Sequence, residues 1–353
     1  MLKLGCEVTI TSVASGNDKG GQVWVFDALS SCVIVEDTGS LTDTCVIELP
    51  KKISWEGDPR KDKEAKDADK PLDGTPIKRA DQITVRLGYF TEGSKPKDDD
   101  LKVRFSGYVR NVDIKVPVRI ECEDGMFLLK QKPAKQKGFK ETTLKEVISF
   151  LLEGTGVEYK LIDDKDIPLG PYSITKSTVA EELNELKREK SFMAYFRLIN
   201  NKPVLYVGLH YPFDSKNKES FVHSKNIIAE ELIYRRAEDV KLKVKATSVS
   251  RKNIRSELEM GDKDGEEIQV FAYNVNLDGL KLFANNALKQ YKYTGHRGSI
   301  ETFGEPLVHK CDIAHIEPSD GKTGDYVIKK LEVSFGTGGY RQKIELGPVI
   351  KVV

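Results

Sequence analysis

The fold prediction rests on two stretches: GYVRNVDIKVPVRIECED at residues 107–124 and DYVIKKLEVSFGTGGYRQKIELG at residues 325–347. Each begins at a Tyr-Val pair (Tyr108 or Tyr326), continues as a long alternating strand, turns, and returns as a second alternating strand. Any two antiparallel hairpins resemble each other, so one interpretation is coincidence. The other is a β-barrel that occurs twice in the chain, with an insert between the copies.

The chain before residue 124 is β-rich throughout. Ile83, Val85 and Leu87 alternate with polar residues, which predicts half-buried antiparallel strands. Within this region nearly every residue from 56 to 74 is charged, Gly or Pro, so we expect an exposed loop there. We assign residues 1–124 to a first β-barrel domain.

The hydrophobic period changes after residue 124. The stretch TTLKEVISFLLEGTG places its apolar residues on one helical face, and a capping box begins at Thr143. A second helix begins near Thr178 with a similar box, and a hairpin turned by Asn200-Asn201 follows it. Residues 125–233 are therefore predicted to form a small mixed α/β domain.

Strands return from about residue 234, where LKVKATSVS and EIQVFAYNV are read as strands separated by the polar turn GDKDGEE. A helix at about 277–293 carries an apolar stripe expected to dock onto a second barrel through Leu280, Phe283, Leu288 and Tyr291. Residues 234–353 complete a mainly β fold with an α+β insert: two similar antiparallel β-barrel domains flanking a small α/β domain.

Composition excludes several classes of protein. The 353 residues carry 56 Lys plus Arg against 55 Asp plus Glu, which argues against a globally basic nucleic-acid binder. No apolar run approaches the roughly 18 to 20 residues that cross a bilayer, and the N-terminus lacks the apolar core of a secretory signal. Five scattered cysteines without a CxxC motif indicate reduced thiols.

Motifs that would carry chemistry are missing from the sequence. It has neither GxSxG nor GxxxxGK[ST], so we predict no catalytic site and no cofactor. His309, Cys311 and His315 would share one face of a regular strand, but residues six apart on a strand lie roughly 20 Å from each other, too far to share a zinc ion. The basic stretch 130–138 has only Phe139 nearby for base stacking, so sequence-specific nucleic-acid binding is not expected.

The order of these parts resembles a known family. A GYF strand and an SGYV hairpin lead through ECEDGMFLLK into the helix TLKEVISFLLEGTG, then TVAEELNELKREKSFMAYFRLINNKPVLYVG and the closing DYVIKKLEVSF hairpin. This is similar to the hub proteins of contractile phage tails: the 43 kDa tail protein of Mu-like phages, the late control D family and the hub portion of the VgrG proteins of type VI secretion. The charged loop 56–74 has no match in that pattern.

The resemblance implies a structural, non-enzymatic baseplate hub. Such hubs are homotrimers in which two similar barrels per chain make a pseudo-sixfold ring, joining the tail tube on one side to a trimeric spike on the other. Because the sequence ends at KIELGPVIKVV, we expect the spike to be a separate protein. The implied location is the virion tail, assembled in the bacterial host cytoplasm, with a central channel for passing DNA.

Six residues on the two hairpins are candidates for subunit-interface or ring-strand contacts, with internal packing as the alternative: Phe105, Tyr108, Val109, Tyr326, Val327 and Ile328. Two other functions remain open. The first is a peptidoglycan- or carbohydrate-active tail protein, and the second is a free-standing ligand-binding β-protein.

Overall fold

The computed structural model describes residues 2–13, 21–50, 76–93, 97, 99–115, 117–162, 166–190, 192–209, 217–250, 254–273 and 275–350. The predicted charged loop 56–74 lies outside these residues. No helix in the described part of the chain is long and apolar enough to cross a membrane.

The N-terminal part of the chain consists of strands: β1 (Leu2–Thr11), β2 (Val23–Phe26), β3 (Ser31–Asp37), β4 (Thr44–Glu48), β5 (Gln82–Thr91), β6 (Leu101–Asp113) and β7 (Arg119–Glu123). The middle part mixes helices and strands: α1 (Met126–Gln131), β8 (Lys137–Thr143), α2 (Leu144–Leu152), β9 (Tyr159–Leu161), β10 (Pro168–Ile174), α3 (Val179–Lys190), β11 (Met193–Ile199) and β12 (Lys202–Gly208).

The C-terminal part returns to strands with one long helix: β13 (Lys218–Val222), β14 (Ile227–Arg235), β15 (Leu242–Val249), β16 (Arg255–Gly261), β17 (Glu266–Tyr273), α4 (Leu277–Tyr291), β18 (Gly295–Phe303), β19 (Ile313–Glu317), β20 (Gly324–Gly336) and β21 (Gly339–Val349). The mainly β character agrees with the prediction.

The N-terminal and C-terminal parts share one large sheet. Across the described residues its strand order is β14-β18-β21-β20-β3-β4-β7-β6-β5-β1-β2, with β19 and β13 attached at β20. The join is the antiparallel pairing of β20 with β3, from Lys330 opposite Asp37 to Gly336 opposite Ser31. One hydrophobic core serves both parts, since Ile34 and Val109 belong to the same cluster as Ile344.

This continuity corrects the predicted architecture. No closed barrel forms among the described strands, so the arrangement of two separate barrels is not confirmed. The physical reason is that β3 and β20 satisfy each other's backbone donors and acceptors, instead of each part closing on itself. The assigned domain boundaries stay a prediction.

The two hairpins that suggested a duplication are both present, but the Tyr-Val pair lies at a different position along the first strand of each. β6 and β20 each span 13 residues and each leads into an antiparallel partner. Tyr108 is five residues before the end of β6, whereas Tyr326 is ten residues before the end of β20. Matching the Tyr-Val pairs therefore does not align the two turns.

A second core joins the middle part to a piece of the C-terminal part. Leu183 and Leu205 pack in one cluster with Val244, Leu280 and Phe283. Helix α4 was expected to pack on a second barrel, but it packs on the small sheet β16-β15-β17. Tyr291, which was expected to be part of that contact, is 52% exposed. Strand β16, in which Leu258 and Met260 lie on either side of Glu259, is absent from the sequence-based prediction.

Local signals in the middle part are confirmed. The Thr143 hydroxyl accepts from the Glu146 N–H, and the same reciprocal box joins Thr178 to Glu181. Asn200 and Asn201 have φ of 51° and 62° in the two-residue turn between β11 and β12. That turn needs two left-handed residues, and asparagine tolerates the conformation better than most.

Candidate functional site: a buried junction and two open sheet edges

The six predicted contact residues lie on strands inside the large sheet. Phe105, Val109, Tyr326, Val327 and Ile328 are buried, and the partly buried Tyr108 stacks on Phe127 with ring centroids 5.8 Å apart. Because β6 lies between β5 and β7, and β20 pairs with β21 on one side and with β19 and then β3 on the other, these strands pair within the chain along both edges. Their side chains stabilise this chain's own interior, and a role in subunit contacts stays a prediction.

A buried ionic cluster, which we call the Lys310 junction, connects the parts of the chain. Lys310 is only 2% exposed, and its Nζ lies 2.6 Å from the Asp43 carboxylate. Its backbone N–H donates to Glu36 Oε2 at 2.9 Å, and Glu36 Oε1 lies 2.8 Å from His309 Nδ1. Asp124 Oδ2 accepts from the backbone N–H of Asp43 at 3.1 Å.

Burial and charge act in opposite directions on these groups. Burial raises the pKa of Asp43 to about 8 and that of Asp124 to about 6, although Lys310 opposes both shifts. Burial also works to raise the pKa of Glu36, but interactions with His309 and with the N–H and charge of Lys310 together outweigh it and hold that pKa below its usual range. For Lys310, burial works to lower the pKa, and the facing carboxylates outweigh it.

Arg104 makes a second buried link between the N-terminal and C-terminal parts. It lies on β6 and is 1% exposed, and its Nη1 donates to the Val308 carbonyl at 3.0 Å. Its Nε donates to the Tyr340 hydroxyl, and its Nη2 donates to the Gly304 carbonyl. The segment 304–312, between β18 and β19, is thereby held by both Arg104 and the Lys310 junction.

The junction surrounds a cavity of about 20 Å³, which has room for a water molecule and not for a substrate. Among its lining residues are Glu36, Asp43, Arg104, Asp124, Arg197 and His309. The Lys310 junction is therefore a set of polar contacts between parts of the chain in the protein interior.

The residues weighed as metal ligands have separate partners. His309 contacts Glu36, the Cys311 thiol donates to the Tyr195 hydroxyl at 3.2 Å, and His315 Nδ1 lies 2.6 Å from Asp325. Strand β19 begins only at Ile313, so His309 and Cys311 precede it. In the described ranges, no three His, Cys, Asp or Glu side chains come together as a metal site.

Among the described strands, the large sheet has an unpaired edge at each end of its main path, β2 and β14, and another at β13 on the branch beside β19. Within the described residues, β2 pairs only with β1, and its Val23 and Val25 are 56% and 60% exposed. In the same part of the chain, β14 pairs only with β18, and its Ile228 and Ile233 are 44% and 60% exposed. Exposed edges with apolar side chains are templates for a strand from another chain. Sequence reasoning missed these edges, because strand order depends on long-range pairing.

Known proteins match this chain in structure but not in sequence. Neither the protein-family models nor the curated proteins include a match. A tail protein from Neisseria meningitidis superposes with a TM-score of 0.65 at 12% identity, covering 97% of this chain and 96% of that one. The 43 kDa tail protein of prophage MuSo2 from Shewanella oneidensis gives 0.58 at 15% identity, with 96% and 97% covered.

A third solved structure comes from a secretion system. It is an E. coli component of type VI secretion, described as similar to the T4 tail proteins gp27 and gp5. The TM-score is 0.55 at 8% identity, and the match covers 92% of this chain and 74% of that chain. This chain has the fold of phage tail and type VI secretion proteins. The resemblance inferred from the order of sequence elements is therefore confirmed at the level of the fold.

Proposed function

We propose that the protein is a structural hub of a phage tail baseplate or a related contractile injection system, located in the virion tail and assembled in the host cytoplasm. The observation that carries this proposal is a whole-chain match to tail proteins of nearly equal length. Three chains form a ring that binds the tail tube on one face and a separate trimeric spike on the other.

The two open edges supply a route to such a ring. When one surface of a chain binds a different surface of the next copy, the contact is heterologous, and it closes into a ring if the rotation allows. Strands β2 and β14 lie at opposite ends of one sheet, so an antiparallel or parallel pairing of β2 with β14 of the next copy would continue that sheet around the ring. Three chains that each contribute two β-rich parts would present six similar positions to the tube.

A structural role also fits the interior of the chain. The cavity at the Lys310 junction is too small for a sugar, and its charged groups bind one another. We therefore favour a non-enzymatic hub over a peptidoglycan- or carbohydrate-active tail protein. Incubation with purified peptidoglycan should release no soluble fragments, whereas turnover by a monomeric chain would reverse this ranking.

Substitutions at the edges test the ring. Val25→Lys on β2 and Ile233→Lys on β14 each add a charge to an exposed edge residue, which disfavours strand pairing between chains. Ile254→Lys is the matched control, because Ile254 is also 60% exposed but precedes β16, outside the large sheet.

Light scattering on the full chain should give three chain masses for the unsubstituted protein and for the control. Each edge variant should shift toward one chain mass with an unchanged circular dichroism spectrum. A monomeric unsubstituted protein, or edge variants that remain trimers, would contradict this mode of assembly.

A further inference from the structure

The N-terminal and C-terminal parts of the chain contain the same arrangement of five strands. In the first part the neighbouring strands are β5-β6-β7-β4-β3, and in the second they are β19-β20-β21-β18-β14. Every neighbouring pair in both sets is antiparallel. The matching strands also follow one another in the same order along the chain. We call these two sets the first unit and the second unit.

A turn with a buried aspartate precedes both β5 and β19. Asp81 Oδ2 accepts from the backbone N–H three residues earlier at 2.7 Å, and Asp312 Oδ2 does the same at 2.8 Å. The residues just before them, Ala80 and Cys311, have φ of 76° and 68°, which non-glycine residues rarely adopt. Because both features recur together, the two turns are equivalent positions of the two units.

The long strands β6 and β20 align on these turns. Val109 exchanges two backbone hydrogen bonds with residues 80 and 81, and Ile328 exchanges the same two with residues 311 and 312. The pairing with the following strand then shifts by a bulge, between Val109 and Asn111 in one unit and between Ile328 and Lys330 in the other. Val109 therefore corresponds to Ile328, and Asn111 corresponds to Lys330.

One contact of the second unit has no counterpart among the described residues of the first. On β20, residues 330–336 pair with β3 of the first unit. The corresponding part of β6, from Asn111 to its end at Asp113, pairs with β7 on one side and with no described strand on the other. The strand that corresponds to β3 is β14, whose second edge is also unpaired in the described part of the chain.

We propose that β14 of one copy pairs with the end of β6 in the next copy, as β3 pairs with β20 inside the chain. This contact rests on the trimeric ring proposed for the chain, and it names the strands that close that ring. A ring with two similar units per chain repeats one kind of contact within chains and between chains. The duplication favours β6 over β2 as the partner of β14, because the chain contains no equivalent of a β2–β14 contact.

The alignment of the units also gives the register of the contact. The pairings from the bulge through β7 and β4 to β3, or through β21 and β18 to β14, match Asp37 with Arg235. Inside the chain Asp37 lies opposite Lys330. The contact between copies therefore places Arg235 opposite Asn111. The next two pairs are Tyr234 with Val112 and Ile233 with Asp113.

The side chains along this contact are complementary. On one face, Ile233 and Arg235 are exposed, and Asp113 lies diagonal to Arg235, so that opposite charges are within reach of each other. On the other face, the partly buried Tyr234 and Val112 lie opposite each other. The contact thus joins charge on its outer face to apolar packing on its inner face.

Cysteine cross-linking of the full chain tests the contact. Asp113→Cys combined with Ile233→Cys places two thiols directly opposite each other, where Cα atoms about 4.5–5.5 Å apart suit a disulfide. Oxidised glutathione takes the two electrons and is reduced to two glutathione thiols as the S–S bond forms. A non-reducing gel should then show two and three chain masses, which reduction removes. The unsubstituted protein, whose five cysteines are buried, should stay at one chain mass.

Val25→Cys combined with Ile233→Cys is the matched control, because it places the thiols on β2 and β14 at residues that are both 60% exposed. This control should stay at one chain mass on the gel, while light scattering still gives three.

Exchanging the charges is a second test, which needs no cysteine. Arg235→Glu brings two negative charges together and should weaken the contact about two- to fivefold in a dilution series followed by light scattering. Adding Asp113→Lys should restore the unsubstituted behaviour. A double variant as weak as Arg235→Glu alone would contradict the predicted register.

The outcomes separate this contact from the ring itself. A trimeric Asp113→Cys/Ile233→Cys chain that does not cross-link would overturn the pairing and leave the ring. Cross-linking of the Val25→Cys control in its place would assign the contact to β2. A monomeric unsubstituted chain would overturn the ring and this contact together.

Discussion

Replacing Arg104 by methionine should weaken the buried link between the N-terminal and C-terminal parts. Methionine fills much of the space of the arginine stem, but it leaves the Val308 and Gly304 carbonyls and the Tyr340 hydroxyl without their buried donor. Each buried acceptor left without a partner costs about 1–3 kcal/mol, and neighbouring losses are not additive. We therefore expect a decrease of about 3–5 kcal/mol in the free energy of unfolding.

Arg86→Met is the control for this experiment. Arg86 lies on β5, its side chain is 23% exposed, and it donates to Glu7 and to the Leu101 carbonyl, both within the N-terminal part. Partly exposed ion pairs contribute about 1 kcal/mol or less. Urea unfolding followed by circular dichroism would measure both variants, and an Arg104→Met loss no larger than that of Arg86→Met would contradict a stabilising role for the buried Arg104 contacts.

Two further pairs of substitutions test the backbone. Gly107→Ala should lower the free energy of unfolding by about 3 kcal/mol or prevent folding, because a Cβ would lie 2.1 Å from the Glu123 carbonyl oxygen. Gly138→Ala should be tolerated, because the nearest atom to its Cβ, Ser173 Oγ, would be 3.7 Å away. Thermal unfolding compares the two, and similar midpoints would contradict the packing. Asn201→Val should lower the free energy of unfolding by about 1–2 kcal/mol, because valine disfavours the left-handed φ of 62° at this position. Asn201→Gly should keep the turn, because glycine adopts this φ readily. Equal urea midpoints for both Asn201 variants would count against a strained turn.

The sequence predicts structure well where the signal is local. The boxes at Thr143 and Thr178 and the Asn200-Asn201 turn depend on residues at most three apart, and the structure contains all of them. The apolar stripe of α4 likewise predicts a helix and the burial of Leu280 and Phe283. It does not identify the surface against which that stripe packs.

The sequence does not predict features that depend on distant pairing. Strands β3 and β20 are nearly the whole chain apart, and nothing in either strand indicates that it will pair with the other. From the sequence, Lys310 and Arg104 would be placed at the surface, because charged side chains are rarely buried unless they have partners. Their partners, among them Asp43 and Tyr340, become visible only in the folded chain.

The proposed assembly is a ring of three copies of this chain with six similar lobes. Electron microscopy of the purified full-length assembly, averaged from views down its axis without imposed symmetry, tests it most directly. We expect a ring of six lobes that alternate between two slightly different shapes, with threefold symmetry. Isolated chains, or a ring whose lobes number other than six, would contradict it.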